Sequence, residues 1–192
     1  MAKVIFDISM SLDGFIAAAN VRPEAGLGDG GERLHDWAFN SEDQRNRELL
    51  AKGASLGAII AGRNTYDLSV PWWGADGPTG PARIPVFVVT HSEPEDSPDD
   101  GVYTFVDGIE TALEKAKRAS GDKDVAVMGG ADIAQQFIRA GFVDEISIHL
   151  VPVLFGGGTR LFEGTGSRHI QLETTEVIET AEATHLRFRV VK

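Results

Sequence analysis

The chain has 192 residues, no cysteine and a formal net charge of −11. This length and the lack of a linker-like break predict a single domain over residues 1–192. Without cysteine there are no disulfides, thiolate metal sites or cysteine nucleophiles, and the acidic balance argues against a nucleic-acid partner. No stretch resembles a signal peptide or the roughly 20 apolar residues that cross a bilayer. We therefore expect a cytoplasmic protein with no membrane partner and no metal ion.

Strand-like and helix-like segments alternate along most of the chain. Apolar runs predict strands at 3–10, 56–61, 84–90, 102–106 and 124–128. Apolar residues with helical spacing predict three helices, which begin after residue 41, after the expected cap Asp107 and after residue 130. Residues 144–151 alternate in polarity, and the runs 170–178 and 184–191 predict an antiparallel pair. This order predicts an α/β protein, a three-layer α/β/α fold whose central sheet is mostly parallel, with antiparallel C-terminal strands.

Two segments lack periodicity. Residues 20–33 are rich in Gly, Pro, Glu and Asp, and a loop of this length in a compact domain is often a functional lid. Asp67 to Arg83 contains glycine, proline and two tryptophans, so it is predicted to be irregular.

A double glycine follows the apolar run Val125–Met128 and precedes a helical pattern that begins near Ile133. The first N–H groups of a helix lack internal partners and attract anions. Glycine also lets a phosphate approach the backbone closely. The segment therefore predicts a phosphate site at Gly129 and Gly130, although such a turn can also exist for backbone reasons alone.

Two further apolar runs end in potential phosphate ligands. Gly62, Arg63, Asn64 and Thr65 follow one run, and Thr90-His91-Ser92 ends the next. A guanidinium, hydroxyls and backbone N–H groups together can hold a phosphate. An ordinary strand-to-helix turn with an exposed arginine is the alternative. Because ligands of parallel α/β sheets bind beyond the carboxyl ends of the strands, these ends together predict one shared site.

Four segments in this order resemble the dihydrofolate-reductase-like superfamily. The resemblance is closest to the branch of the C-terminal reductase domain of bifunctional riboflavin-biosynthesis proteins. The segments are Ser11-Leu12-Asp13-Gly14-Phe15-Ile16-Ala17, Gly62-Arg63-Asn64-Thr65-Tyr66, Met128-Gly129-Gly130-Ala131-Asp132-Ile133 and the run from Gly141 to Gly158. They span residues 11 to 158.

The resemblance implies NADPH as the cofactor, bound across the carboxyl ends of the strands. It also implies a cis peptide between Gly129 and Gly130, and a homodimer. The cofactor-binding residues implied are Ile16, Ala17, Gly62, Arg63, Asn64, Thr65, Thr90, His91, Ser92, Gly129, Gly130, Ala131, Asp132 and Ile133.

The proton donor of the family is missing from its usual places. Asn46 stands where dihydrofolate reductases carry their carboxylate, unless a gap brings Asp43 there, and Met128 stands where riboflavin-type reductases carry an acid. Three other candidates remain for the catalytic acid or base, each with an equally ordinary structural role: Asp13, Asp36 and His149. Four aromatic side chains are candidates for stacking on a planar substrate, or for packing: Trp37, Phe39, Trp72 and Trp73.

The sequence therefore predicts an NADPH-dependent reductase that transfers a hydride to a small heterocyclic or conjugated C=N or C=O substrate. One alternative is a reductase of the riboflavin pathway, acting on a substrate of the 5-amino-6-ribosylamino-uracil phosphate type, or a dihydrofolate reductase proper. Another is a non-catalytic NADP-binding protein that keeps the cofactor cleft without a productive substrate site.

Overall fold

A computed structural model describes residues 2–163, 166 and 169–192. Eight strands form one sheet in the order β5-β4-β3-β6-β1-β7-β10-β9, and β2 and β8 form a small second pair. The strands are β1 (Val4–Ser11), β2 (Phe15–Ala17), β3 (Ala58–Gly62), β4 (Val86–Val89), β5 (Tyr103–Val106), β6 (Val125–Met128), β7 (Glu145–Val151), β8 (Thr159–Arg160), β9 (Leu172–Glu179) and β10 (Thr184–Val190).

The pairing confirms the predicted sheet. Strands β5, β4, β3, β6, β1 and β7 run parallel to one another. Strand β10 pairs antiparallel with β7, and β9 pairs antiparallel with β10. The helices are α1 (Asp36–Phe39), α2 (Gln44–Gly53), α3 (Arg63–Trp73), α4 (Ile109–Ser120) and α5 (Ala131–Arg139).

Both faces of the sheet are covered, because successive side chains of a strand point to opposite faces. On one face Ile60 belongs to a cluster with Leu113 and Phe137, which come from α4 and α5. On the other face Ile59 packs in a cluster with Tyr66 of α3. The three layers α/β/α therefore match the prediction.

Two predicted elements are wrong. Residues 67–73 are not irregular, because α3 continues from Arg63 to Trp73 with Pro71 inside it. Pro71 removes the hydrogen bond that an N–H would make to the Asp67 carbonyl, and the helix ends two residues later. Asp107 does not cap α4, whose N-cap is Gly108. The Asp107 carboxylate instead lies 2.8 Å from Nδ1 of His91.

The predicted cis peptide between Gly129 and Gly130 is also wrong, since every peptide bond among the described residues is trans. The chain turns here by another means, with φ of 70° at Gly129 and 53° at Gly130. Glycine adopts these left-handed dihedrals without the strain that a Cβ would cause. Among the residues that the structure describes, no helix is long and apolar enough to cross a membrane.

Candidate functional site

One large cleft, with a volume of about 1870 Å³, opens beside the carboxyl ends of the parallel strands. The turns after β3, β4 and β6 line it, as do β2 and the loop over residues 24–28. All fourteen residues that the resemblance assigned to the cofactor lie in its lining. His149, Trp37 and Phe39 line the cleft as well. The structure thus brings together the segments that sequence analysis expected to meet.

The double glycine packs directly against the start of α3. A Cβ on Gly129 would stand 2.4 Å from Cγ2 of Thr65 and 2.7 Å from its hydroxyl. The following helix, α5, begins at Ala131 and receives no side-chain hydrogen bond at its N-cap Gly130. Its first N–H groups therefore keep their capacity to bind an anion at the cleft wall. This is a cradle that fits a pyrophosphate, although Asp132 adds a negative charge in the first turn.

We expect Gly129→Ala to destabilise the fold more than Gly130→Ala. Both glycines have positive φ, which costs an alanine about 1–2 kcal/mol, but only the Cβ at 129 meets a methyl group at 2.4 Å. At 130 the nearest atom is the Thr65 hydroxyl at 3.1 Å. Urea unfolding of both variants measures the difference, and Thr65→Ala should reduce the loss in Gly129→Ala. Equal losses in the two variants would contradict the packing described here.

Arg63 connects the ends of β3 and β4. Its Nε donates to the Asp67 carboxylate at 2.7 and 2.9 Å, and its Nη1 donates to the Ser92 carbonyl at 2.8 Å. The same Nη1 lies 3.4 Å from the Thr90 hydroxyl. This cluster presents a cation and a hydroxyl at one end of the cleft, which is the donor set that a phosphate requires.

A hydrogen-bonded row of polar side chains crosses the sheet at the other end of the cleft. Oδ1 of Asp7 lies 3.2 Å from Nε2 of His149. Nδ1 of His149 lies 2.7 Å from Nδ1 of His185. Nε2 of His185 lies 2.8 Å from Oδ1 of Asn46 on α2. Strand register produces the row, because Asp7, His149 and His185 project from the same face of β1, β7 and β10.

Trp37 covers the two histidines. Its ring centroid lies 4.1 Å from that of His149 and 4.9 Å from that of His185. Its indole N–H donates to the Ser9 hydroxyl at 2.9 Å. With 6% of its surface exposed, Trp37 packs against this row more than it faces the cleft. Phe39 is 78% exposed at the cleft rim, where a planar ligand can reach it.

The row perturbs the ionisation of its members. Burial acts to raise the pKa of Asp7, but hydrogen bonds from His149 and Ser147 and the charges of His149 and Arg187 outweigh it and lower that pKa. Half of the Asp7 side chain still meets solvent in the cleft. Burial, followed by the nearby charge of His149, lowers the pKa of His185 to about 4. Burial likewise lowers the pKa of His35.

The free energy of unfolding should fall as the pH is lowered from 6.5 to about 4. In this window His185 of the unfolded chain binds a proton that the folded imidazole does not. The contribution of His185 to the free energy of unfolding is therefore complete above pH 6.5 and is lost as the pH falls below that value. Replacing His185 by Gln removes the titrating group and keeps an amide for Asn46. Urea unfolding across this range should show that the free energy of unfolding depends less steeply on pH in the variant. The part of the slope that remains should come from His35. Identical slopes would refute a neutral His185.

Two of the three predicted catalytic residues lie outside the cleft lining. The Asp13 carboxylate accepts hydrogen bonds from the Ser11 hydroxyl at 2.6 Å and from backbone N–H groups at residues 155 and 156. The bond from Ser11, with those backbone bonds, lowers the pKa of Asp13 to about 2. Asp36 accepts from the side-chain amide of Asn40. Both carboxylates thus have structural partners outside the cleft, whereas His149 lies in the cleft wall.

The position at which dihydrofolate reductases carry their catalytic carboxylate also contributes no acid to the cleft. Asn46 is 1% exposed and lies behind the two histidines. Asp43, the alternative, caps α2 by accepting from the backbone N–H of Arg45 at 2.9 Å. No carboxylate therefore reaches the cleft from the described part of α2.

Sequence analysis missed Asp7 and His185. Asp7 follows Val4-Ile5-Phe6, so the run was interpreted as a fully buried strand. The alternation of Asp7, Ser9 and Ser11 with apolar neighbours was the signal of a polar face. Trp72, which the sequence offered as a stacking residue, is 81% exposed in the cleft.

The sheet order and the antiparallel C-terminal pair define a dihydrofolate-reductase-like α/β fold. A structure titled as dihydrofolate reductase from Enterococcus faecalis complexed with NADP(H) and RAB-propyl superposes with a TM-score of 0.63 at 13% identity. The superposition covers 99% of this chain and 97% of that one. At this identity the likeness establishes the fold alone.

Within that fold, the chain belongs to the RibD C-terminal domain family, which it matches over residues 2–186. It is 28% identical over 170 residues to the uncharacterized protein YyaP of Bacillus subtilis (strain 168), covering 83% of this chain and 80% of that protein. A Shewanella sp. PV-4 protein named for riboflavin biosynthesis superposes with a TM-score of 0.71 at 25% identity, over the full length of both chains. These comparisons confirm the predicted superfamily and branch, and they support a reductase.

Proposed function

We propose that the protein is an NADPH-dependent reductase that transfers a hydride to a small heterocyclic or conjugated C=N or C=O substrate. The observation that carries the proposal is the convergence of three strand-end turns, after β3, β4 and β6, in one cleft. Membership of the RibD C-terminal domain family, the reductase part of riboflavin biosynthesis, supports the same class of reaction.

The cofactor half of the cleft offers a separate donor set for each charged part of NADPH. Arg63, Thr90 and Ser92 would hold the 2′-phosphate, and His91, paired with Asp107, borders them. The turn from Gly129 to Ile133 would hold the pyrophosphate at the start of α5, with Asn64 and Thr65 opposite. Ile16 and Ala17 on β2 would flank the nicotinamide. When bound there, NADPH supplies the hydride, and the protein orients both reactants.

The substrate half is aromatic at its rim and acidic inside. Phe39 and Trp72 stand exposed at the opening. Among the residues that the structure describes, the lining carries, besides its histidines, five acids and two arginines: Asp7, Glu24, Glu32, Asp132 and Glu163 against Arg63 and Arg160. Arg63 belongs to the cofactor end, and Arg160 lies over the ring of Phe15 with its guanidinium carbon 4.4 Å from the ring centroid.

This charge balance favours a planar substrate without a phosphate. A phosphorylated ribosylamino-uracil would bring a dianion toward Asp7, Glu24 and Glu32, and like charges repel across a cleft with protein walls. We therefore place the riboflavin-pathway substrate second, behind an unphosphorylated heterocycle. The homodimer inferred from the resemblance stays a prediction, which sedimentation of the purified protein can test.

Loss of reduced-cofactor absorbance tests the proposal. The purified protein is incubated with NADPH and a panel of cyclic imines, conjugated ketones and phosphorylated or unphosphorylated pyrimidines. We expect turnover of at least one unphosphorylated acceptor. Saturable NADPH binding without turnover of any acceptor would favour a non-catalytic NADP-binding protein, and absence of binding would refute both functions.

A further inference from the structure

We propose that Asp7 and His149 together deliver the proton of the reduction, with His185 and Asn46 as positioning residues. The proposal rests on the reductase function inferred above and assigns the step for which the family's usual acids are absent. It is carried by the hydrogen-bonded row on one face of β1, β7 and β10 and by the place of Asp7 in the cleft wall.

The direction of each hydrogen bond follows from the far end of the row. Nδ2 of Asn46 donates to the Ser41 hydroxyl at 2.8 Å and to the Glu182 carboxylate at 3.1 Å. Because a carboxylate only accepts, the Asn46 amide nitrogen must face Glu182, and its oxygen must face His185. Nε2 of His185 therefore carries a proton and donates it to Asn46.

The remaining protons are then fixed in turn. Burial lowers the pKa of His185 to about 4, so at neutral pH its ring holds only the Nε2 proton, and Nδ1 is bare. Nδ1 of His149, 2.7 Å away, must donate to that bare nitrogen. The last contact joins Nε2 of His149 to the Asp7 carboxylate. A hydrogen bond needs a donor, and neither a deprotonated nitrogen nor an ionised carboxylate can be one. One further proton must therefore lie between Asp7 and His149.

This proton lies where a substrate can take it. Asp7 is half exposed in the cleft, while His149 is 5% exposed behind it. Asp7 is therefore the group that meets the substrate, and His149 holds the proton at the Asp7 oxygen. Both side chains line the same cleft as β2, where the nicotinamide is proposed to lie. The exposed half of Asp7 also gives solvent a route to restore the proton after each turnover.

The step balances with NADPH as the reductant. The acceptor carbon gains the hydride, the C=N or C=O π bond breaks, and its electron pair moves to the heteroatom. The heteroatom forms an N–H or O–H bond with the proton that leaves His149 Nε2 by way of Asp7. His149 is left neutral with its proton on Nδ1, the form that His185 already accepts from.

Charged groups surround the pair on several sides. Arg187 on β10 acts on Asp7, and His35, next to Asp36, acts on His149. On the α2 side, Asp43 and Arg45 act on His185. Glu182 contacts Asn46 at the far end of the row, and Asp7 is the carboxylate of the row that lines the cleft.

A matched pair of acceptors separates proton delivery from hydride transfer. A weakly basic cyclic aryl imine, assayed above its own pKa, needs a proton, whereas its N-methyl iminium needs none. For Asp7→Asn and His149→Gln we expect kcat on the neutral imine to fall about 10²-fold or more. On the iminium kcat should stay within a few fold, although its KM rises when the Asp7 charge is lost. Glu48→Gln on α2 and His169→Gln, both exposed, control for losing a carboxylate or an imidazole.

Equal losses on both acceptors would overturn the proposal, because they would assign the pair to binding or folding. So would an unchanged rate on the neutral imine. His185→Phe, which removes the acceptor for His149 Nδ1, should also lower kcat on the neutral imine, and His185→Gln, which keeps an acceptor, should restore much of it. A His185→Phe variant as active as wild type would remove the positioning role.

Histidine ¹⁵N NMR tests the pair without turnover. At neutral pH we expect His185 to be protonated on Nε2 only and His149 on both nitrogens. Asp7→Asn should remove the Nε2 proton of His149, because an amide can donate to that nitrogen. A bare Nε2 on His149 in the wild type would overturn the proposal. If the wild type reduces no acceptor of the whole panel, the reductase function fails, and this spectrum still decides the proton on Asp7 and His149.

Discussion

Dihydrofolate will be reduced at least 10²-fold more slowly than the usual enzyme range of about 1–10³ s⁻¹. The position of the dihydrofolate-reductase acid holds Asn46, which is buried behind His185 and does not line the cleft. The cleft acid that the structure does provide, Asp7, lies on β1 and would meet a differently placed substrate nitrogen.

Charge adds to this loss. The glutamate tail of dihydrofolate is a dianion, and Glu24 and Glu32 line the cleft. Both glutamates are exposed, so they repel the dianion through solvent, and the repulsion falls with distance and salt. We therefore expect a high KM as well as a low kcat.

Steady-state kinetics with dihydrofolate and NADPH decide the matter, with Asn46→Asp as the diagnostic variant. Because Asn46 lies outside the cleft, a carboxylate there should not raise dihydrofolate turnover. Circular dichroism checks that the variant folds, since the new charge lies near Glu182. Wild-type turnover of about 1 s⁻¹ or more, or a hundredfold gain in Asn46→Asp, would show that the acid has been misplaced.

NADPH will bind at least about tenfold more tightly than NADH, and Arg63→Ala will abolish the difference. A charge-assisted hydrogen bond to the 2′-phosphate contributes about 1.5–3 kcal/mol. Arg63 already donates to Asp67 and Ser92, so its guanidinium is held in place and loses little freedom when a phosphate binds. The Asp67 carboxylate repels the phosphate, so we expect the preference for NADPH over NADH to stay near tenfold.

Titration of both cofactors into wild type and variant measures this preference. Arg118→Ala is the matched control, because Arg118 is also a helical arginine paired with an acid four residues away, Glu114, and does not line the cleft. It should leave both affinities unchanged. Equal affinities for NADPH and NADH in the wild type, unaltered in Arg63→Ala, would remove the 2′-phosphate from this end of the cleft.

Much of the fold could be predicted because its signals are local. The apolar run at Val125–Met128 and the double glycine after it specify a buried strand and a sharp turn within a few residues. The same holds for the Gly62 turn and for the antiparallel strands β9 and β10. In contrast, Pro71 and two tryptophans indicate a break in the sequence, whereas α3 continues to Trp73 with Tyr66 packed against β3 and β4.

The proton-bearing row could not be predicted in the same way. Asp7, His149 and His185 are separated by 142 and 36 residues along the chain. They meet only because β7 pairs with β1 on one side and with β10 on the other, in one register. His149 was singled out from the alternation of its own strand, whereas its partners depend on tertiary pairing.

A crystal structure of the NADPH complex tests the central claim most directly. The account predicts density for the pyrophosphate at the N–H groups of Ala131 and Asp132, with the 2′-phosphate at Arg63. The nicotinamide should lie beside Ala17 and face the side of the cleft that holds Asp7. A cofactor bound away from the Gly129 turn, or none at saturating NADPH in solution and in the crystal, would contradict it.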